Sequence, residues 1–142
     1  MIKTLLAAAT LASATAGVAQ AGTLADLRWD KRIVILFDAG AGADERIAEQ
    51  KRRLLGNEAA LAERELVAFA VVGDEIQPIY GEAPTGQSAD SLRKRFDISA
   101  ETPFTTILIG KDGGVKWRGE QPIAEAELEG IIDAMPMRRV GK

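Results

Sequence analysis

Three apolar runs divide the chain and predict its central strands. Residues 33–37 and 66–72 are uninterrupted apolar runs, and residues 104–109 form a third candidate strand. A strand that helices cover on both faces shows no polar alternation, because neither face meets water. The first two runs therefore indicate strands in the middle of a sheet that is covered on both sides.

Helical patterns fill the segments between and after these strands. Asp44 can cap a helix that follows the first strand, and Ser88 can cap another that precedes the third strand. A last helix has Pro122 near its start and ends at Pro136, since proline is tolerated at the start of a helix and not in its interior. In each helix the apolar residues recur on one face. They are Ile47, Leu54 and Leu55, then Leu92 and Phe96, then Leu128, Ile131, Ile132 and Met135.

Turn signals separate the remaining elements. Asp112-Gly113 lies between the third strand and a short strand at 115–118, and it predicts a hairpin because both residues tolerate positive φ. Residues 74–87 contain two prolines and two glycines and are predicted to form a long surface connection. The order β-α-β-α-β-β-α predicts a single α/β domain, a three-layer α/β/α sandwich with a mixed central sheet.

Residues 1–21 have the three parts of a secretory signal peptide. Lys3 is the only charge among them, an apolar run follows at 5–11, and Ala19-Gln20-Ala21 is typical of a signal-peptidase site. We therefore expect residues 1–21 to be removed and residues 22–142 to form one exported domain, periplasmic or secreted. No later stretch predicts a membrane span.

The composition excludes several kinds of chemistry. The 142 residues include no cysteine and no histidine, so thiol nucleophiles, disulfides, zinc–thiolate sites and histidine bases are ruled out. The formal net charge is −3, and loss of the leader with Lys3 makes it one unit more negative. An acidic chain with 5% aromatic residues argues against nucleic-acid binding, and the basic runs 51–53 and 93–95 are expected to be solvated helix faces.

The segment 102–116, with the sequence TPFTTILIGKDGGVK, resembles a bacterial family described as domain of unknown function 4174. The resemblance extends over about residues 24–137 and includes the segments 32–37 and 69–74. It implies a thioredoxin-like fold, similar to that of peroxiredoxins, with a cis peptide bond between Thr102 and Pro103. It implies no particular activity, because the function of the family is unknown.

The same resemblance points to a candidate cleft. In thioredoxin-like proteins the reactive thiol lies in the loop after the first strand, and the corresponding residues here, 38–45, contain no sulfur. We therefore predict a redox-inactive domain with a binding cleft between loop 38–44 and Pro103. The candidate residues are Asp38, Gly40, Gly42, Asp44, Thr102, Pro103 and Arg118. We assign no catalytic residue, no metal ligand and no cofactor.

The leading hypothesis is a binding module for a protein or an envelope component. In one alternative, the glycines before the helix bind an anion, although Asp44 and Glu45 would repel it. In another, Asp38 with these two carboxylates binds a metal cation, although their spacing does not match a calcium loop. A small-ligand carrier that uses the same cleft is a third alternative. An enzyme would use Asp38 as a general base near Arg118, with few groups to support it.

Oligomeric state and the two tryptophans complete the predictions. We expect a monomer, because each predicted helix has a single apolar face and no surplus hydrophobic stripe. Trp29 and Trp117 are expected to pack at strand margins, since tryptophan is highly buried on average. The alternative is that Trp117, with the adjacent Arg118, marks a contact surface.

Overall fold

Five strands form one sheet in the computed structural model, which describes residues 22–38, 43–99, 101–102 and 104–135 and gives only the backbone at 43 and 44. The strands are β1 (Arg32–Phe37), β2 (Leu66–Val72), β3 (Glu75–Tyr80), β4 (Thr105–Ile109) and β5 (Val115–Gly119). Their order across the sheet is β3-β2-β1-β4-β5. Because β1 runs parallel to β2 and antiparallel to β4, the sheet is mixed, as the sequence predicts.

Helices connect and cover these strands. They are α1 (Leu24–Leu27), α2 (Ala43–Leu54), α3 (Glu58–Glu63), α4 (Ala89–Arg95) and α5 (Glu125–Asp133). Ser88 caps α4 as predicted, since its hydroxyl accepts a 3.1 Å hydrogen bond from the amide of Ser91. The parallel pairing of β1 and β2 requires a crossover, which α2 and α3 provide. Within the described residues, no helix has the length and apolar character needed to cross a membrane.

The sheet lies between two hydrophobic cores. Alternate residues of β1 point to opposite faces, so Ile33, Ile35 and Phe37 join one core while Val34 and Leu36 join the other. Helices α1 and α4 cover the first face, and α2, α3 and α5 cover the second. These three layers confirm the predicted α/β/α sandwich.

One strand lies where the sequence predicts a surface connection. β3 pairs with β2 at the edge of the sheet, and its side chains are exposed or half-buried. Pro78 is tolerated there, because proline in a sheet is confined to edges and irregularities, and the β2–β3 register shifts beside Phe69, the partner of Pro78. Gly73, at φ 58°, turns the chain between the two strands. The prediction of a connection over 74–87 is therefore wrong for residues 75–80.

The hairpin predicted at Asp112-Gly113 is confirmed. β4 and β5 pair antiparallel, and Gly113 adopts a φ of 87°, which an L side chain rarely adopts. The amide of Gly110 donates a 2.9 Å hydrogen bond to the carbonyl of Gly114 and closes the turn. A side-chain ion pair of 2.9 Å between Lys116 and Asp112 also stabilises the turn.

The two tryptophans differ from each other in burial. Trp117 is half-buried and packs against the core beneath α2, α3 and α5, which fits the expectation of packing at a strand margin. Trp29 is 59% exposed, so the expectation is wrong there. Trp29 has a positive φ of 73°, and its amide donates a 2.6 Å hydrogen bond to the carbonyl of Lys111. The turn that follows α1 thus presents this side chain to solvent.

Candidate functional site

Asp38 directly follows the first strand, and its buried carboxylate pairs with a partly exposed arginine. Asp38 is 2% exposed. Arg46 on α2 donates two hydrogen bonds to its carboxylate, from Nε to Oδ2 over 2.9 Å and from Nη2 to Oδ1 over 3.3 Å. The hydrogen bond to the Asp38 carboxylate raises the pKa of the Arg46 guanidinium. A bidentate arginine fixes a carboxylate and satisfies its charge. Asp38 is therefore suited to hold α2 against the strand end rather than to accept a proton from a substrate.

The other predicted residues of the loop and its facing proline are only partly described. Gly40, Gly42 and Pro103 lie outside the described residues, and with them the expected cis peptide bond. Asp44 lies in the first turn of α2, where the backbone alone is described, so its predicted capping role stays a prediction. Thr102 is half-buried, and its hydroxyl accepts a 2.8 Å hydrogen bond from the amide of Ser99. The predicted cleft itself therefore remains a prediction.

Arg118 lies on the opposite face of the sheet from Asp38. It is on β5 opposite Ile107, and its Nη1 donates a 2.8 Å hydrogen bond to the carbonyl of Phe96 at the end of α4. Asp38 instead turns toward α2, where Arg46 binds it. The structure thus does not bring together the acid and the arginine of the enzyme hypothesis.

A large hollow opens at the other end of the parallel strands, beside α1. We call it the α1 hollow, and its volume is about 830 Å³. Its floor is apolar and comes from Leu27 on α1 with Leu66 and Val67 on β2, all three of them buried. Tyr80 at the end of β3 forms part of its wall. Ligand pockets typically have volumes of roughly 300–1,000 Å³ and mostly apolar linings, so this hollow has the size and floor of a binding site.

Carboxylates line the α1 hollow. They belong to Asp26, Asp30, Glu65 and Glu82, and Lys31 is the one cation among the described lining residues. Two of the four have structural partners. The Asp26 carboxylate accepts hydrogen bonds from the amides of residues 22 and 23 at 2.9 and 3.1 Å, and the ion pair with Lys111 lowers the pKa of Glu65. Asp30 and Glu82 are exposed, and neither forms an ion pair or a side-chain hydrogen bond with the described part of the chain. These two acids leave the hollow with negative charge available to a ligand.

Sequence reasoning missed the α1 hollow and the role of Arg46. The hollow combines residues from α1, the β2 start and the β3 end, and no periodic pattern links these three segments. Arg46 follows Asp38 by eight positions. An acid at a strand end followed by an arginine in the first turns of the next helix was the available signal. Groups of three or more potential metal ligands are absent from the described residues.

Comparisons with known proteins identify a family for the chain but no ligand. A model of the family described as Domain of unknown function (DUF4174) matches residues 23–140. No curated protein and no solved structure matches the chain. The family match agrees with the resemblance carried by segment 102–116.

Proposed function

Because the chain belongs to the family described as Domain of unknown function (DUF4174), which names no activity, we propose a function from its own residues: it is an exported, redox-inactive binding domain. The proposal of export rests on the leader at 1–21. The proposal of redox inactivity rests on a sequence without cysteine. Asp38 is engaged by Arg46, and this disfavours the alternative of a carboxylate enzyme at the end of β1.

The α1 hollow carries the proposal of a binding role. An apolar floor that is next to uncompensated carboxylates suits a ligand with an apolar group beside a positive charge. A protein segment with leucine and lysine side chains has this chemistry, and the hollow has room for several of them. The partner is thus a protein with a cationic, partly apolar segment. Specificity comes from the charge. A neutral segment would leave Asp30 and Glu82 unpaired, and an acidic segment would be repelled by them.

The absence of sulfur chemistry is directly testable. We expect purified protein to show no turnover in an insulin-reduction assay and no cysteine-type peroxidase turnover in a peroxide-consumption assay, because disulfide exchange and cysteine-type peroxidase chemistry both pass through a thiolate. A buffer blank and a thioredoxin sample set the lower and upper limits of each assay. Turnover that co-purifies with the protein through successive columns would contradict redox inactivity.

Neutralising the two free carboxylates should weaken binding of a cationic peptide. We expect the double variant Asp30→Asn/Glu82→Gln to bind a peptide of alternating lysine and leucine about three- to tenfold more weakly than the parent. Backbone amide shifts in an NMR titration give the affinity and show whether residues of the α1 hollow respond. A peptide of alternating glutamate and leucine should produce no saturable shift.

A matched double variant controls for net charge. Glu101→Gln/Glu120→Gln removes the same charge from exposed positions outside the α1 hollow, and its affinity for the peptide should equal that of the parent. Equal weakening by both double variants would indicate attraction by the whole acidic protein. That outcome, or shifts confined to other surfaces, would count against a site in the α1 hollow.

A further inference from the structure

A second, smaller hollow lies on the other side of α1, and its lining is basic. It measures about 110 Å³ and is bounded by α1, the end of α4 and the β4–β5 hairpin. Among the described residues that line it, Arg28, Lys31 and Arg95 are basic and none is acidic. A space of this size holds several water molecules or one small ion, since a single water needs roughly 10–15 Å³.

Arg28 lies beside this basic hollow and contacts both the hairpin and Trp29. Its Nε donates a 2.9 Å hydrogen bond to the carbonyl of Asp112, and its guanidinium lies 5.9 Å from the centre of the Trp29 ring. The guanidinium lies close to the hairpin, where a Cβ at residue 113 would be 2.9 Å from Nε. Nη1 and Nη2 of Arg28 form no hydrogen bond with the described residues. The terminal fork of an arginine matches the geometry of an oxyanion.

The positive charge of the basic hollow is only partly offset by neighbouring acids, since Asp112 attracts Arg28 and Glu65 attracts Lys31. Within the described part of the chain, Arg28, Lys31 and Arg95 form no ion pair, whereas many other cations of this acidic protein do. Both of these acids also pair with another cation, Asp112 with Lys116 and Glu65 with Lys111. Three cations around one small space repel one another, and an anion between them removes that cost.

We infer that this basic hollow binds a small oxyanion, either a free phosphate or sulfate or the terminal group of a larger anionic molecule. Arg28 supplies the fork of its guanidinium, while Lys31 from the same turn and Arg95 from α4 add positive charge. The inference is independent of the ligand of the α1 hollow. Lys31 lines both hollows, so the two sites are separated by a single side chain.

The test is a titration with inorganic phosphate, sulfate and acetate at constant ionic strength, followed by NMR and by thermal unfolding. We expect saturable shifts at residues of the basic hollow and a higher unfolding temperature with phosphate or sulfate, because a ligand of the native state stabilises it. Acetate should act more weakly if the site selects tetrahedral anions. Phosphoserine, compared with free phosphate, distinguishes a terminal phosphoryl group from the free ion.

Four variants test the inference and control for the loss of charge. Arg95→Gln should weaken phosphate binding by about tenfold, and Lys94→Gln, the neighbouring exposed cation on α4 outside the lining, should leave it unchanged. Arg28→Lys keeps the charge and loses the fork, so it should weaken binding less than Arg28→Gln. Equal effects of Arg95→Gln and Lys94→Gln, shifts that follow ionic strength alone, or no saturation at tens of millimolar phosphate would overturn the inference.

Discussion

Replacing Gln50 with alanine should lower the free energy of unfolding by about 2–4 kcal/mol, because two buried backbone groups would lose their partners. Gln50 is 0% exposed on α2, and its side chain bonds to the backbone of Ile123 in both directions. Nε2 donates to the carbonyl of Ile123 over 3.0 Å, and the amide of Ile123 donates to Oε1 over 2.7 Å. This pair of hydrogen bonds fastens the segment before α5 to α2.

Urea unfolding of the parent and variants measures this effect through the midpoint at a constant slope. Gln121→Ala is the matched control, since Gln121 is exposed and close in sequence to Ile123, and it should change stability by less than about 0.5 kcal/mol. Gln50→Glu keeps an acceptor and loses the donor, and it places a charge in a buried site, so it should also destabilise the protein. A Gln50→Ala midpoint equal to that of Gln121→Ala would contradict the account.

The sequence predicts the inner strands of the sheet well and the outer ones less well. The run at 66–72 coincides with β2, because a strand buried on both faces must be apolar at every position. β3 carries no such signal. Its six residues include the charged Glu75, the polar Gln77 and Pro78. Their pairing depends on the neighbouring strand β2. Edge strands gain their stability from a neighbour, so their own sequence is weakly informative.

The candidate site shows a different limit. Asp38 could be singled out from the sequence because it follows a buried strand, but its partner could not be identified among the many arginines. The folded structure selects the partner, because a carboxylate with 2% exposure needs a cation nearby and α2 places Arg46 beside it. The two hollows beside α1 depend on contacts between segments far apart in the chain, such as Arg28 with the carbonyl of Asp112. Such contacts follow from tertiary packing rather than from local pattern.

The largest loss of stability is expected for Phe69→Ala, about 3–5 kcal/mol. Phe69 is 0% exposed in β2, lies between Ile35 of β1 and Pro78 of β3, and faces the core beneath α1 and α4. Removal of its ring leaves a cavity in the centre of this core, which can relax only partly because both neighbouring strands hold the backbone in register.

Comparison with Phe69→Leu separates the cavity from the loss of an aromatic ring. Leucine fills most of the space, so its cost should stay well below that of alanine. Total stabilities of small domains are about 5–15 kcal/mol, and the alanine variant should therefore unfold at a far lower urea concentration than the parent. Alanine and leucine variants with the same urea midpoint would mean that the core closes around the smaller residue. Since Phe69 lines neither hollow, peptide and phosphate titrations of the folded Phe69→Leu variant should match those of the parent.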